Sequence, residues 1–108
     1  GGRLNKYKIP WHIRQYVKRE LMEYKSNKKL MENYKGDTRA LLIAATRINK
    51  IEKVLNGLNR EDREVAEMIF LKHTSQSSAE INKGISKAAY YNAMNKVIYL
   101  TAVEMDLI

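Results

Sequence analysis

Apolar residues recur along this chain at spacings of three to five, without strand-like alternation or an internal repeat, so the pattern predicts helix almost throughout. After the single proline, Pro10, which suits a first helical turn, "WHIRQYVKRELMEY" places Trp11, Tyr16 or Val17, Leu21 and Tyr24 on one face of an amphipathic helix. "KSNKK" offers a Ser/Asn break, beyond which Leu30, Met31 and Tyr34 form a short second helix or continue the first with a bend. Gly36 ends that element, and Asp37 or Thr38 caps the next by accepting from an unpaired amide. The long helix that follows carries a stripe of Leu41, Leu42, Ala45, Ile48, Ile51, Val54 (or Leu55) and Leu58, with Arg47, Lys50, Lys53 and Asn56 on the polar side, and stops at Asn56-Gly57. In "LNREDREVAEMIFLKH", Asn59 is the expected cap, Glu61 and Asp62 occupy the positive first turn, and Val65, Met68 or Ile69, and Leu71 are the apolar positions. "TSQSS" is a polar loop, or a loop whose final serine caps a short helix "SAEINK". Past Gly84, Ser86 caps a last helix that reaches about Asp106. The expected fold class is all-α, a small helical domain.

With 108 residues the chain is expected to be a single folding unit, residues 1–58 supplying basic N-terminal helices packed on a C-terminal region, 59–108. Gly1 and Gly2 read as a processing remnant and carry no functional argument. No cysteine is present, which removes disulfides and thiolate metal sites and suits a cytoplasmic protein. The apolar runs "ALLIAA" and "VIYLTAVEM" are too short to span a bilayer, so no membrane association is expected.

The net charge of +8 points to an anionic partner. Its distribution is uneven: residues 1–35 hold ten basic and three acidic side chains, whereas residues 76–108 hold three of each. The basic cluster Lys6, Lys8, Arg14, Lys18, Arg19, Lys25, Lys28 and Lys29 reads as a solvated or partner-binding surface in preference to direct phosphate contact.

The stretch "GISKAAYYNAMNKVIYLTA", Gly84 to Ala102, carries the sharpest functional signal. A helix-turn-helix needs a short helix, a turn that favours glycine, an aliphatic residue and a small polar cap near a phosphate, and Gly84, Ile85 and Ser86 occur in that order. If Ser86 is the cap, Tyr90, Ala93, Val97 and Leu100 or Thr101 face inward, and Lys87, Ala88, Tyr91, Asn92 and Asn95 face outward. The candidate DNA-binding set is Ser86, Lys87, Ala88, Tyr91, Asn92, Asn95 and Lys96. Glycine and serine between two helices also serve any helical bundle, and Lys83 stands where such a motif usually buries an apolar residue.

On "ISKAAYY" and "KVIYLTAVEMDL", the chain resembles the ArpU type of phage late-gene transcription regulators, and on "ELMEY" and "RINKIEKVLNGLNREDREVAEMIF" it is similar to the RinA type. The resemblance implies a helix-turn-helix like region 4 of bacterial sigma factors, double-stranded promoter DNA as ligand, and RNA polymerase or a second copy as partner, in a bacterial host cytoplasm. Members usually carry several cations in the recognition helix, whereas here Lys87 and Lys96 are the only ones. Asn still suits adenine and Tyr suits a phosphate or a thymine methyl.

Other chemistry is thin. His12 and His73 lack partners at ligand spacing, "REDRE" reads as exposed helix charge, and the tyrosines Tyr7, Tyr16, Tyr24 and Tyr34 suit a half-buried helix face with wet hydroxyls. No nucleophile with its base and no Gly-rich phosphate loop stands out, so neither an enzyme nor a cofactor is expected. The expected function is sequence-specific DNA-binding regulation of phage late genes, and the alternative is a protein-interaction module or a packaging and assembly factor that uses the same surface.

Overall fold

The computed structural model describes residues 7–108, so Gly1, Gly2 and the basic Lys6 lie outside the described residues. The chain is all-α: α1 (Trp11–Glu32), α2 (Thr38–Gly57), α3 (Arg60–Phe70), α4 (Gln76–Lys83) and α5 (Lys87–Glu104). Among the described residues no helix is long and apolar enough to cross a membrane.

Short polar side chains set four of the helix starts, each bonding an amide that the helix leaves unpaired. Asp37 accepts from the Arg39 N–H at 2.9 Å, Asn59 from Asp62 at 2.8 Å, Ser75 from Ser78 at 3.2 Å and Ser86 from Ala89 at 3.1 Å. Ser75, the first serine of "TSQSS" and not the last, is therefore the cap, and α4 begins earlier than the sequence suggests. Of the two readings of "KSNKK", the second helix is absent and α1 continues through Ser26 and Asn27. Just beyond α1, the Tyr34 ring folds over Gly36, where a Cβ would lie 2.5 Å from the phenolic oxygen, and that oxygen accepts from the Asp37 N–H at 3.2 Å.

One hydrophobic cluster draws on all five helices, with Val17 and Leu21 from α1, Ile48 and Ile51 from α2, Ile69 and Phe70 from α3, Ala79 from α4 and Val97 and Ile98 from α5. α5 packs against each of the other four. On α1, Val17 is the buried residue and Tyr16 only packs at the margin, while Trp11 stands 73% exposed, contrary to its expected place on the inner face. On α2, Leu42 also points out, because the core face follows Ile48, Ile51, Val54 and Leu55. The inner face of α3 is rotated toward Ala66, Ile69 and Phe70, leaving Val65, Met68 and Leu71 at the edge. Truncating Phe70 to alanine is expected to cost about 3–5 kcal/mol in urea unfolding, against a change within about 0.5 kcal/mol for Leu42→Ala.

Thr101 on α5 is fully buried, and its hydroxyl oxygen has no hydrogen-bond partner among the described residues. A buried hydroxyl without a partner opposes folding, so the near-isosteric Thr101→Val should raise stability by about 1 kcal/mol in the same assay.

A polar network joins α1 to α2 at the edge of the core. The Tyr24 hydroxyl donates to Glu52 Oε2 at 2.7 Å, and Lys28 Nζ reaches the same oxygen at 2.6 Å. The hydrogen bonds from Lys28 and then Tyr24 hold the Glu52 carboxyl below the usual carboxylate range. Burial, followed by the Glu52 hydrogen bond, pushes the Tyr24 phenol up. The hydrogen bond to Glu52 also raises the Lys28 ammonium. The Glu52 share of stability is complete above its unfolded pKa of about 4.3 and lost as pH falls through the lowered folded value. The Lys28 and Tyr24 shares are complete below their unfolded values of about 10 and lost as pH rises through the raised folded ones. Glu52→Gln should therefore lower the denaturation midpoint at neutral pH, and the gap from the unmodified protein should close on acidification below about pH 4.

Candidate nucleic-acid interface

The eight-residue α4 and the longer α5 are joined by Gly84, Ile85 and Ser86. Gly84 adopts the left-handed conformation, with φ of 66°, and its N–H donates to the Glu80 carbonyl at 3.1 Å. The Ile85 N–H reaches back to the Ala79 carbonyl at 3.2 Å, and the Ile85 side chain packs against the core. These bonds terminate α4, after which Ser86 starts α5 through its side-chain cap. Lys83, where an apolar residue would be expected in such a motif, is exposed, and α4 buries only Ala79.

The first turns of α5 separate into two faces. Tyr90 is 5% exposed and its hydroxyl donates to the Thr74 carbonyl at 2.6 Å, which ties α5 to the connection before α4. Burial, and then the neighbouring Tyr91, push the Tyr90 phenol above its ordinary value. Tyr91 is 41% exposed and meets the Tyr90 ring edge-on at 5.2 Å between centroids. Ser86, Lys87, Ala88 and Asn92 are exposed with it, while Asn95 is half-buried. The Lys87 and Ala88 amides precede the first intrahelical bond of α5, so they are available to an acceptor beside Ser86.

Lys96 does not belong to this open face. Its Nζ sits 2.6 Å from Asp62 Oδ2 in the first turn of α3, with both side chains mostly covered. The Asp62 hydrogen bond raises the Lys96 ammonium, so it remains charged but committed. Farther along, Tyr99 meets the Tyr7 ring at 5.4 Å, which limits the open face to the turns before Lys96. Neither contact was legible, since 34 residues separate Asp62 from Lys96 and no local pattern links them.

The opposite flank gains a cation from α1. Arg14 Nη2 reaches Met94 Sδ at 3.9 Å, placing its guanidinium beside the α5 edge that carries Lys87 and Tyr91. Lys18 follows one turn along α1 and is half-buried. Of the rest of the basic cluster, Lys28 is held by Glu52, whereas Lys8, Arg19, Lys25 and Lys29 are exposed and form no ion pair among the described residues. His73 lies in the connection before α4 with Nε2 3.0 Å from the Met22 carbonyl, far from the exposed His12 on α1. In "REDRE" and the residues after it, Arg60 pairs with Glu64 and Arg63 with Glu67, each one turn on.

No protein-family model matches the chain, and no curated protein or solved structure matches it either.

Two measurements probe this geometry. Gly84→Ala should destabilise by about 1–2 kcal/mol although nothing lies within 4 Å of the added carbon, because the cost is conformational. A double-mutant cycle of Lys96→Ala and Asp62→Ala should return a coupling of roughly 0.5–1 kcal/mol, diminishing with added salt.

Proposed function

We propose that this chain is a sequence-specific DNA-binding transcription regulator that lays the first turns of α5 in a major groove, with activation of phage or prophage late genes as its role. The observation that carries the reading is the short helix, left-handed Gly84 and Ser86-capped long helix that leave Lys87, Ala88, Tyr91 and Asn92 unburied on one surface. The sequence likeness to the ArpU and RinA types supports the same reading, including the likeness to sigma region 4. In this arrangement the Ser86 hydroxyl and the free amides after it meet a phosphate, Asn92 pairs with an adenine edge, and Tyr91 packs on a thymine methyl or donates to a phosphate.

The phosphate grip is modest, because Lys96 is spoken for by Asp62. The cations that remain around the surface are Lys87, Lys83, Arg14 and Lys18. Four phosphate contacts correspond to a slope of about −3.6 in log affinity against log salt. Fluorescence titration of late-promoter fragments at two salt concentrations should show promoter preference with a slope of roughly that size. No preference together with no salt dependence would rule the reading out.

A protein-interaction module is the second reading, favoured by Ile81, which stands 81% exposed on α4. Joint replacement of Lys87, Tyr91 and Asn92 by alanine separates the two. Loss of DNA affinity with an unchanged melting curve fits the regulator, and intact DNA affinity with lost polymerase contact or self-association fits the module.

A further inference from the structure

Trp11 is the only tryptophan of the chain and its bulkiest side chain, yet it stands 73% exposed on the first turn of α1. Among the described residues its indole meets no aromatic ring and no hydrogen-bond acceptor. Helical spacing sets Arg14 and Lys18 on the same side of α1, three and seven residues on. Both cations are half-buried, and neither forms an ion pair among the described residues. The nearest acids of α1 are turned elsewhere: residues 7–19 contain none, and Glu20 and Glu23 line the groove between α1 and α2. The charge of this stripe is therefore left for a partner from outside.

The stripe borders the open face of α5. Successive contacts of the N-terminal segment and α1 step backward along α5. The Tyr7 ring meets Tyr99, the Arg14 guanidinium meets Met94, and the Met22 carbonyl meets His73, next to the Thr74 carbonyl that Tyr90 holds. α1 thus runs beside α5 in the opposite sense, with Arg14 and Lys18 along the flank of the surface that carries Lys87 and Tyr91. A major groove is about 12 Å wide, whereas the axes of packed helices lie about 8–10 Å apart. A helix laid in the groove therefore brings its neighbour against the phosphate strand at the rim, away from the bases. Half-buried cations gain more from a phosphate there than fully solvated ones, because less water screens the pair. An indole suits the same rim, since its flat face covers a deoxyribose and its N–H donates without needing a donor in return.

We propose that Trp11, Arg14 and Lys18 form a second DNA-contacting element, which grips the sugar–phosphate backbone at the rim of the groove that α5 enters. The inference rests on duplex DNA being the ligand of α5, and it adds a contact that is blind to sequence.

Because Trp11 is the only tryptophan, its fluorescence reports on this element alone. With the full chain at low salt, a late-promoter duplex and a random-sequence duplex should each shield Trp11 from acrylamide quenching. Arg14→Gln combined with Lys18→Gln should flatten the slope of log affinity against log salt by about 1.8 for both duplexes. Trp11→Ala, read with labelled duplex, should weaken both severalfold and by the same factor, with the preference between them and the melting curve unchanged. Trp11 still open to acrylamide at saturating duplex overturns the proposal, as does an unchanged salt slope in the double variant. If neither duplex binds, this proposal and the α5 reading fall together. Promoter preference with an accessible Trp11 removes this proposal alone, and shielding without preference removes the α5 reading alone.

Discussion

Burial of the inner face of α5 is the constraint on which the other contacts depend. Val97 and Ile98 are fully buried at the middle of this helix, and every other helix packs against it. Because one side of α5 is committed to holding four helices together, the residues on its other side are released from packing duty over the first turns. A helix with this division can change its outward residues without disturbing the domain, which is a useful property in a surface that has to discriminate among ligands.

The rest of the molecule is graded away from that centre. α3 and α5 are joined by both apolar packing and the Lys96–Asp62 pair, and Tyr90 anchors the connection before α4. α4 itself is held lightly, by Ala79 and by the backbone bonds at Gly84. At the opposite extreme the hairpin of α1 and α2 leans on the Tyr24–Glu52–Lys28 network and on partly covered side chains such as Met31 and Leu41. Local opening is expected to begin in the hairpin and in α4, where few apolar contacts resist it.

Much of the architecture was legible because it is written in local chemistry. Asp37, Asn59 and Ser86 are caps by virtue of their own side chains, and Gly84 is a stop by virtue of lacking one. The inward stripe of Tyr90, Ala93, Val97 and Thr101 follows from helical spacing alone. What failed was decided by distant partners or by competition among equals. The final serine of "TSQSS" was the expected cap of α4, yet Ser75 holds that place by accepting from the Ser78 N–H. Ser26 and Asn27 left open whether α1 breaks or continues, and α1 continues because the neighbouring Tyr24 and Lys28 are fastened to α2 through Glu52. Leu71 and Leu42 were misjudged because an apolar run such as "MIFL" or "LLI" contains more candidates than a helix face can bury, and neighbouring helices choose among them. Lys96 looked like part of the open face until α3 supplied Asp62.

Gly84 has empty space where a side chain would go, so its surroundings would accept a methyl group. Only the handedness of an L-residue opposes one. A D-alanine introduced there by chemical ligation would adopt the same positive φ without strain and would also narrow the freedom of the unfolded chain. The direction in which α5 leaves α4 thus depends on a left-handed backbone conformation, and the joint between the two helices could be stiffened by introducing a single D-stereocentre.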